Sequence, residues 1–255
     1  MNTYKTNARI VGVLFISCTG AAIVSGVFIL PIIGASDYLA EISAKETQMA
    51  LGAIFYLIMA AAGAGIVIPM YPILKKYNEG MALGAVGFRI IEGAIFLVSG
   101  MCILALVPLS QEYVQAGASA EPYFQTIGDL LLTGYTIDQA VVPGVFAFSI
   151  GALMYYYIFY QTKLVPRWLS VWGLIGITLG ILNGLFDIFG GIDEMISMLL
   201  DLPIFVQEMV LAVWLIVRGF NSSAIDSLSA HHNQARQNEH IKNKEGYPNE
   251  STQNP

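Results

Sequence analysis

The chain is expected to fold as an all-α polytopic membrane protein with six transmembrane helices and both termini cytoplasmic. Three observations lead there. Apolar residues make up 56% of the 255 positions and charged residues only 12%, about half the charged fraction of a water-facing domain. Six stretches supply the roughly 20 apolar residues needed to cross a hydrocarbon core, at about 10–33, 49–74, 83–107, 135–160, 168–190 and 196–217. They lack the period-two alternation of a transmembrane barrel. Finally, basic residues crowd the loops of one side. This composition excludes a soluble enzyme and a disordered chain, and the net charge of −6 argues against a nucleic-acid partner.

Span one follows Lys5 and Arg9. Its 24 apolar-rich residues exceed the h-region of a secretory signal, and no convincing small-x-small cleavage site follows. Cys18 behind Phe15-Ile16-Ser17 echoes a lipoprotein site, but too few apolar residues precede it, so an uncleaved first helix is expected. Span two carries Ala60-Ala61-Ala62-Gly63-Ala64-Gly65, a small-residue run that lets a neighbouring helix approach. Pro69 and Pro72 end it. The outer loop at 108–134 contains Tyr123, Phe124, Ile127, Leu130 and Leu131 at helical spacing behind Pro122, which suits a first helical position. A short surface helix is expected there, with a lid as one role for it. Pro143 and Pro203 are expected to kink spans four and six. Gly176, Gly180 and Gly184 form a second small-residue stripe on span five, and the short link 191–195 makes spans five and six a tight hairpin.

Orientation follows from the cations. Lys5, Arg9, Lys75, Lys76, Lys163, Arg167, Arg218, Arg236, Lys242 and Lys244 share one side, whereas the opposite loops hold only Lys45 among eight carboxylates. Ten against one puts the basic side in the cytoplasm. Tyr155, Tyr156, Tyr157, Tyr160, Trp168, Trp172, Trp214 and Phe220 then fall where an interfacial aromatic belt is expected. Residues 221–255 are rich in Ser, Asn, Gln, His and charge. With almost nothing apolar to bury, they read as a disordered cytoplasmic tail following a membrane domain at 1–220. All three histidines lie in that tail. Cys18 and Cys102 differ by roughly 10 Å in depth, at about 1.5 Å per residue, so they read as packing residues rather than a disulfide.

Ionisable groups inside a span cost about 2.5–3.5 kcal/mol at the centre and call for a reason. Arg89 and Glu92 are three apart on span three, hence on one face. Gln207 and Glu208 lie on span six, with Glu208 ten residues, about 15 Å, from Arg218 and thus near mid-membrane. One arginine facing two carboxylates gives an expected cluster of Arg89, Glu92 and Glu208, with Gln207 nearby. Asn183 and Asp187 form a second polar face on span five, and Asp201 lies on nearly the same face of span six as Glu208. Asp138 is expected at the interface. Two readings stay open for the cluster: interhelical glue, or a site for an ion, proton or substrate.

Absences narrow the chemistry. No histidine lies in any span, so bis-histidine haem, a histidine-ligated metalloprotease and a serine–histidine dyad are excluded. No Walker loop and no selectivity-filter sequence occurs. No catalytic residue, cofactor or metal is therefore expected. The protein is read as non-enzymatic, with the lipid bilayer as its surroundings and a small molecule, lipid or ion as ligand. The alternative is a structural or regulatory protein whose helices bind a partner protein or a second copy.

Lys75-Lys76-Tyr77-Asn78-Glu79-Gly80 leading into Gly87-Phe88-Arg89-Ile90-Ile91-Glu92-Gly93, then Pro166-Arg167-Trp168-Leu169-Ser170-Val171-Trp172-Gly173, then 207–217 from Gln207-Glu208 onward, occur in this order. Together these blocks resemble the bacterial multi-pass membrane family called domain of unknown function 4386, over about residues 8–220. The resemblance implies a bacterial inner-membrane protein with Arg89, Glu92 and Glu208 in signature blocks. It implies no activity, substrate or cofactor.

Overall fold

In the computed structural model, which describes residues 2–117, 122–134 and 142–245, ten helices follow one another and no strand occurs among the described residues. They are α1 (Asn2–Ile33), α2 (Tyr38–Ala44), α3 (Glu46–Gly65), α4 (Tyr71–Leu74), α5 (Glu79–Gln115), α6 (Pro122–Thr133), α7 (Val142–Thr162), α8 (Arg167–Ile188), α9 (Glu194–Val217) and α10 (Ser222–Glu245). Six of them, α1, α3, α5, α7, α8 and α9, are long and apolar enough to cross a membrane.

Each of these six packs against the next in sequence, and α9 returns to pack against α1. The six spans therefore close into a ring. Its outer face is apolar, with Val13, Val27, Leu83, Met101, Met198 and Val217 all more than half exposed. Exposed hydrophobic surface around a whole bundle belongs against lipid. The interior is filled by large side chains, among them Phe15, Arg89, Tyr155, Tyr156 and Phe159.

Small residues set the closest approaches. At Gly93 on α5, a methyl group would stand 2.7 Å from the Ala64 side chain and 3.1 Å from the Ala60 carbonyl oxygen of α3. At Gly176 on α8 it would meet the Ile204 backbone of α9 at 2.9 Å. Both approaches draw on small residues that the sequence places in stripes.

The structure departs from the sequence reading in several places. The expected second span, 49–74, is broken: α3 stops at Gly65, and irregular turns lead to α4. Pro69 and Pro72 lack the N–H groups that would continue the ladder, and the Asn7 side chain of α1 donates to the Pro69 carbonyl at 2.9 Å. Conversely, α5 runs on through Pro108 to Gln115, so the outer loop begins later than residue 108. The extension is held from outside the helix, where Tyr113 donates to Asp37 at 3.3 Å and Gln111 to Glu46. Pro203 lies inside α9, whereas Pro143 falls in the first turn of α7, a position where its missing N–H has no partner to lose. Residues 135–141, including Asp138 and the expected start of span four, lie outside the described residues.

The tail is the largest correction. Residues 222–245 form α10 rather than a disordered chain, and its first turns are docked, with Ala224 and Ile225 buried beside Phe220. Ala224, Ile225 and Leu228 recur at helical spacing and supply a small apolar stripe within an otherwise polar segment. Lys76 secures the helix by donating to Ser229 at 2.8 Å and to the Tyr4 hydroxyl at 2.7 Å. Residues 246–255 lie outside the described residues.

At the opposite end, α6 is the short amphipathic helix expected after Pro122. The Tyr38 hydroxyl of α2 donates to Asp129 of α6 at 2.7 Å. Burial first, and the Asp129 carboxylate second, push this hydroxyl well above its ordinary value.

Candidate functional site

The centre of the ring is built around Arg89. This residue is 2% exposed and lies ten residues into α5, roughly 15 Å along its axis from Glu79. Because α3 ends at Gly65, the carbonyls of its last turn carry the negative end of the helix dipole, and that of Gly63 accepts a 3.3 Å bond from the Ile66 N–H that leaves room for a second donor. Arg89 Nε is that second donor to the Gly63 carbonyl, at 3.1 Å. Nη1 donates to Glu92 Oε1 at 3.3 Å and stands 3.0 Å from Oε2. The guanidinium also lies 5.0 Å from the ring centroid of Phe148 on α7.

Glu208 on α9 lies within electrostatic range of both Arg89 and Glu92. It is not joined to them: its Oε1 is shielded from solvent and has no hydrogen-bond partner. Cys18 of α1 and Tyr155 of α7 also face this group of charges. A methyl placed on Gly63 would sit 3.5 Å from the Cys18 sulfur and 3.6 Å from the Arg89 guanidinium. Five of the six ring helices thus meet at one polar spot.

Gln207 belongs to a separate network. It accepts a 2.5 Å hydrogen bond from the Tyr156 hydroxyl and donates to the Leu169 carbonyl at 3.0 Å. Neighbouring residues on a helix point about 100° apart, so Gln207 and Glu208 serve different helix contacts. On the second polar face, Asn183 donates to Asp201 and Ser197, both at 2.9 Å, tying α8 to α9. Asp187 is half-buried in the same region and lies within electrostatic range of Asp201. No group of three or more potential metal-ligating side chains occurs among the described residues.

Two site residues escape the sequence reading. Tyr155 and Tyr156 are expected in the interfacial belt, but both are fully buried inside the ring. Three consecutive tyrosines on a helix cannot all face lipid, and only Tyr157 is exposed, at 41%. Cys18 packs against the core as expected and is in addition a neighbour of the charges. Gly63 enters through its backbone carbonyl, which no side-chain pattern announces.

The match to a family model covers residues 10–219. The chain belongs to the family described as domain of unknown function (DUF4386). That description names no activity, so the family supplies a class and an extent rather than a chemistry. The matched region begins within α1, takes in the rest of the ring and ends just before α10. No curated protein and no solved structure matches the chain.

Proposed function

We propose that this member of the family is a non-enzymatic multi-pass protein that binds a small positively charged ligand, the proton included, at Glu208 within the helix ring. The supporting observation is the buried Glu208 oxygen without a partner, beside an arginine already engaged by Glu92 and Gly63. The arithmetic is one cation against two carboxylates. An uncompensated negative charge in a low-dielectric core is costly, and one further positive charge balances it. Arg89, Glu92 and Gln207 are positioning residues in this reading, since Arg89 and Gln207 bond to neighbouring helices and Glu92 holds Arg89 from within α5. The basic loops support a bacterial inner membrane with both termini in the cytoplasm.

The reading is tested by infrared difference spectra of the full chain in lipid nanodiscs, recorded on pH change and on addition of sodium or an alkylamine. A carboxyl band that changes in the wild type and is missing in Glu208→Gln is expected. Identical spectra for both proteins under every condition would overturn the proposal.

A further inference from the structure

The strongest unassigned feature lies at the basic end, where the α7–α8 connection meets the α9–α10 connection. Asn221 joins them, its backbone N–H donating to the Leu164 carbonyl at 2.9 Å and its side chain to the Lys163 carbonyl at 3.3 Å. The two linked turns enclose a recess of about 640 Å³ lined by Lys163, Arg167, Arg218, Trp214, Phe220 and Asn221, among others. Three cations line it and no carboxylate does. None of the three makes an ion pair with a described carboxylate, so their charge is uncompensated.

Two further features favour an anion. The recess lies at the N-termini of α8 and α10, helices of 22 and 24 residues, whose dipoles add positive potential there, although Asn221 Oδ1 already accepts from the Ser223 N–H. Lys163 itself adopts φ 57°, the one described non-glycine residue in the left-handed region.

A second groove continues from the first. It runs along α9 over Val206, Val210, Val213 and Val217, is almost wholly apolar, has a volume of about 470 Å³, and shares Trp214 and Arg218 with the recess. A cationic recess joined to an apolar groove on the lipid-facing side of one span matches an amphiphile of opposite charge. A soluble anion would leave the groove unused, and a neutral lipid would leave the cations uncompensated.

We propose that this recess and groove form a site for one anionic glycerophospholipid, with its phosphate among Lys163, Arg167 and Arg218 and one acyl chain along α9. The site is separate from the one at Glu208. Cations of this kind near a membrane surface each favour anionic lipid, and here three of them line one recess.

Trp214, at the junction, reports occupancy. Full-length protein with Trp168→Phe and Trp172→Phe is reconstituted in phosphatidylcholine nanodiscs containing brominated phosphatidylglycerol or brominated phosphatidylcholine. Quenching of Trp214 by the anionic lipid is expected at a mole fraction several-fold lower than by the zwitterionic one. The preference should disappear in Lys163→Gln/Arg167→Gln/Arg218→Gln and persist in Lys163→Arg/Arg167→Lys/Arg218→Lys, which keeps the charge and controls for folding. Glycerol 3-phosphate, which lacks the acyl chains, should not compete at equal concentration. Equal quenching by the two lipids, a preference surviving loss of all three cations, or full competition by glycerol 3-phosphate would each overturn the proposal.

Discussion

The Arg89 guanidinium caps the broken end of another span: its Nε donates to the Gly63 carbonyl at 3.1 Å, two residues before α3 stops. A cation buried in the ring thereby stabilises a helix terminus and pairs with Glu92 on its own helix. The break in the second span and the charge in the third support each other, since the carbonyl at the helix end keeps acceptor capacity beyond its Ile66 bond and an unpaired guanidinium is costly in this setting.

Removing that cation takes one donor from the Gly63 carbonyl and leaves the buried Glu92 carboxylate without its ion-pair partner. Arg89→Gln is expected to cost on the order of 3 kcal/mol, as loss of one partner of a buried pair does. The double substitution Arg89→Gln/Glu92→Gln should recover part of the loss. Thermal unfolding in detergent measures both, and equal midpoints for the single and double variants would contradict the pairing.

Glycine positions should split by what surrounds them. At Gly176 a methyl would overlap the Ile204 backbone at 2.9 Å, whereas at Gly87 nothing lies within 4 Å. Gly176→Ala is expected to lower stability by about 1–3 kcal/mol through overpacking. Gly87→Ala should raise it by up to about 1 kcal/mol through helix propensity. Unfolding midpoints that move in the same direction would contradict the packing of α8 on α9.

Docking of α6 should depend on alkaline pH. The Tyr38 hydroxyl is raised above its ordinary value of about 10 by burial and by Asp129, so the folded state holds this proton more tightly than the unfolded chain. The contribution is therefore complete below about pH 10 and is lost as pH rises further. Protection of amides in Pro122–Thr133, relative to their intrinsic base-catalysed exchange, should fall above that pH and in Tyr38→Phe at neutral pH. Protection unchanged in both would contradict the Tyr38–Asp129 clamp.

Much of this architecture is legible in the sequence, for physical reasons that also mark where legibility ends. The apolar runs locate six spans because a hydrocarbon core imposes length on a helix. The i, i+3 spacing brings Arg89 and Glu92 to one face without tertiary knowledge. Gly63 could not be found this way, because a backbone carbonyl becomes available only where a helix ends, and two prolines six and nine residues on were the sole signal. Tyr155 and Tyr156 were read by depth when their direction around α7 decided their role. The docking of α10 rests on three apolar residues, Ala224, Ile225 and Leu228, which average composition hides.

In the proposed function Glu208 is kept for a ligand while Arg89, Glu92 and Gln207 hold the helices. The most direct measurement is the thermal unfolding midpoint, in detergent without added ligand, of the wild type and of Glu208→Gln. The substitution preserves shape and removes the charge that has no partner, so an unchanged or raised midpoint is expected. A fall comparable to that of Arg89→Gln would show Glu208 to be a structural partner of the arginine and would contradict the account.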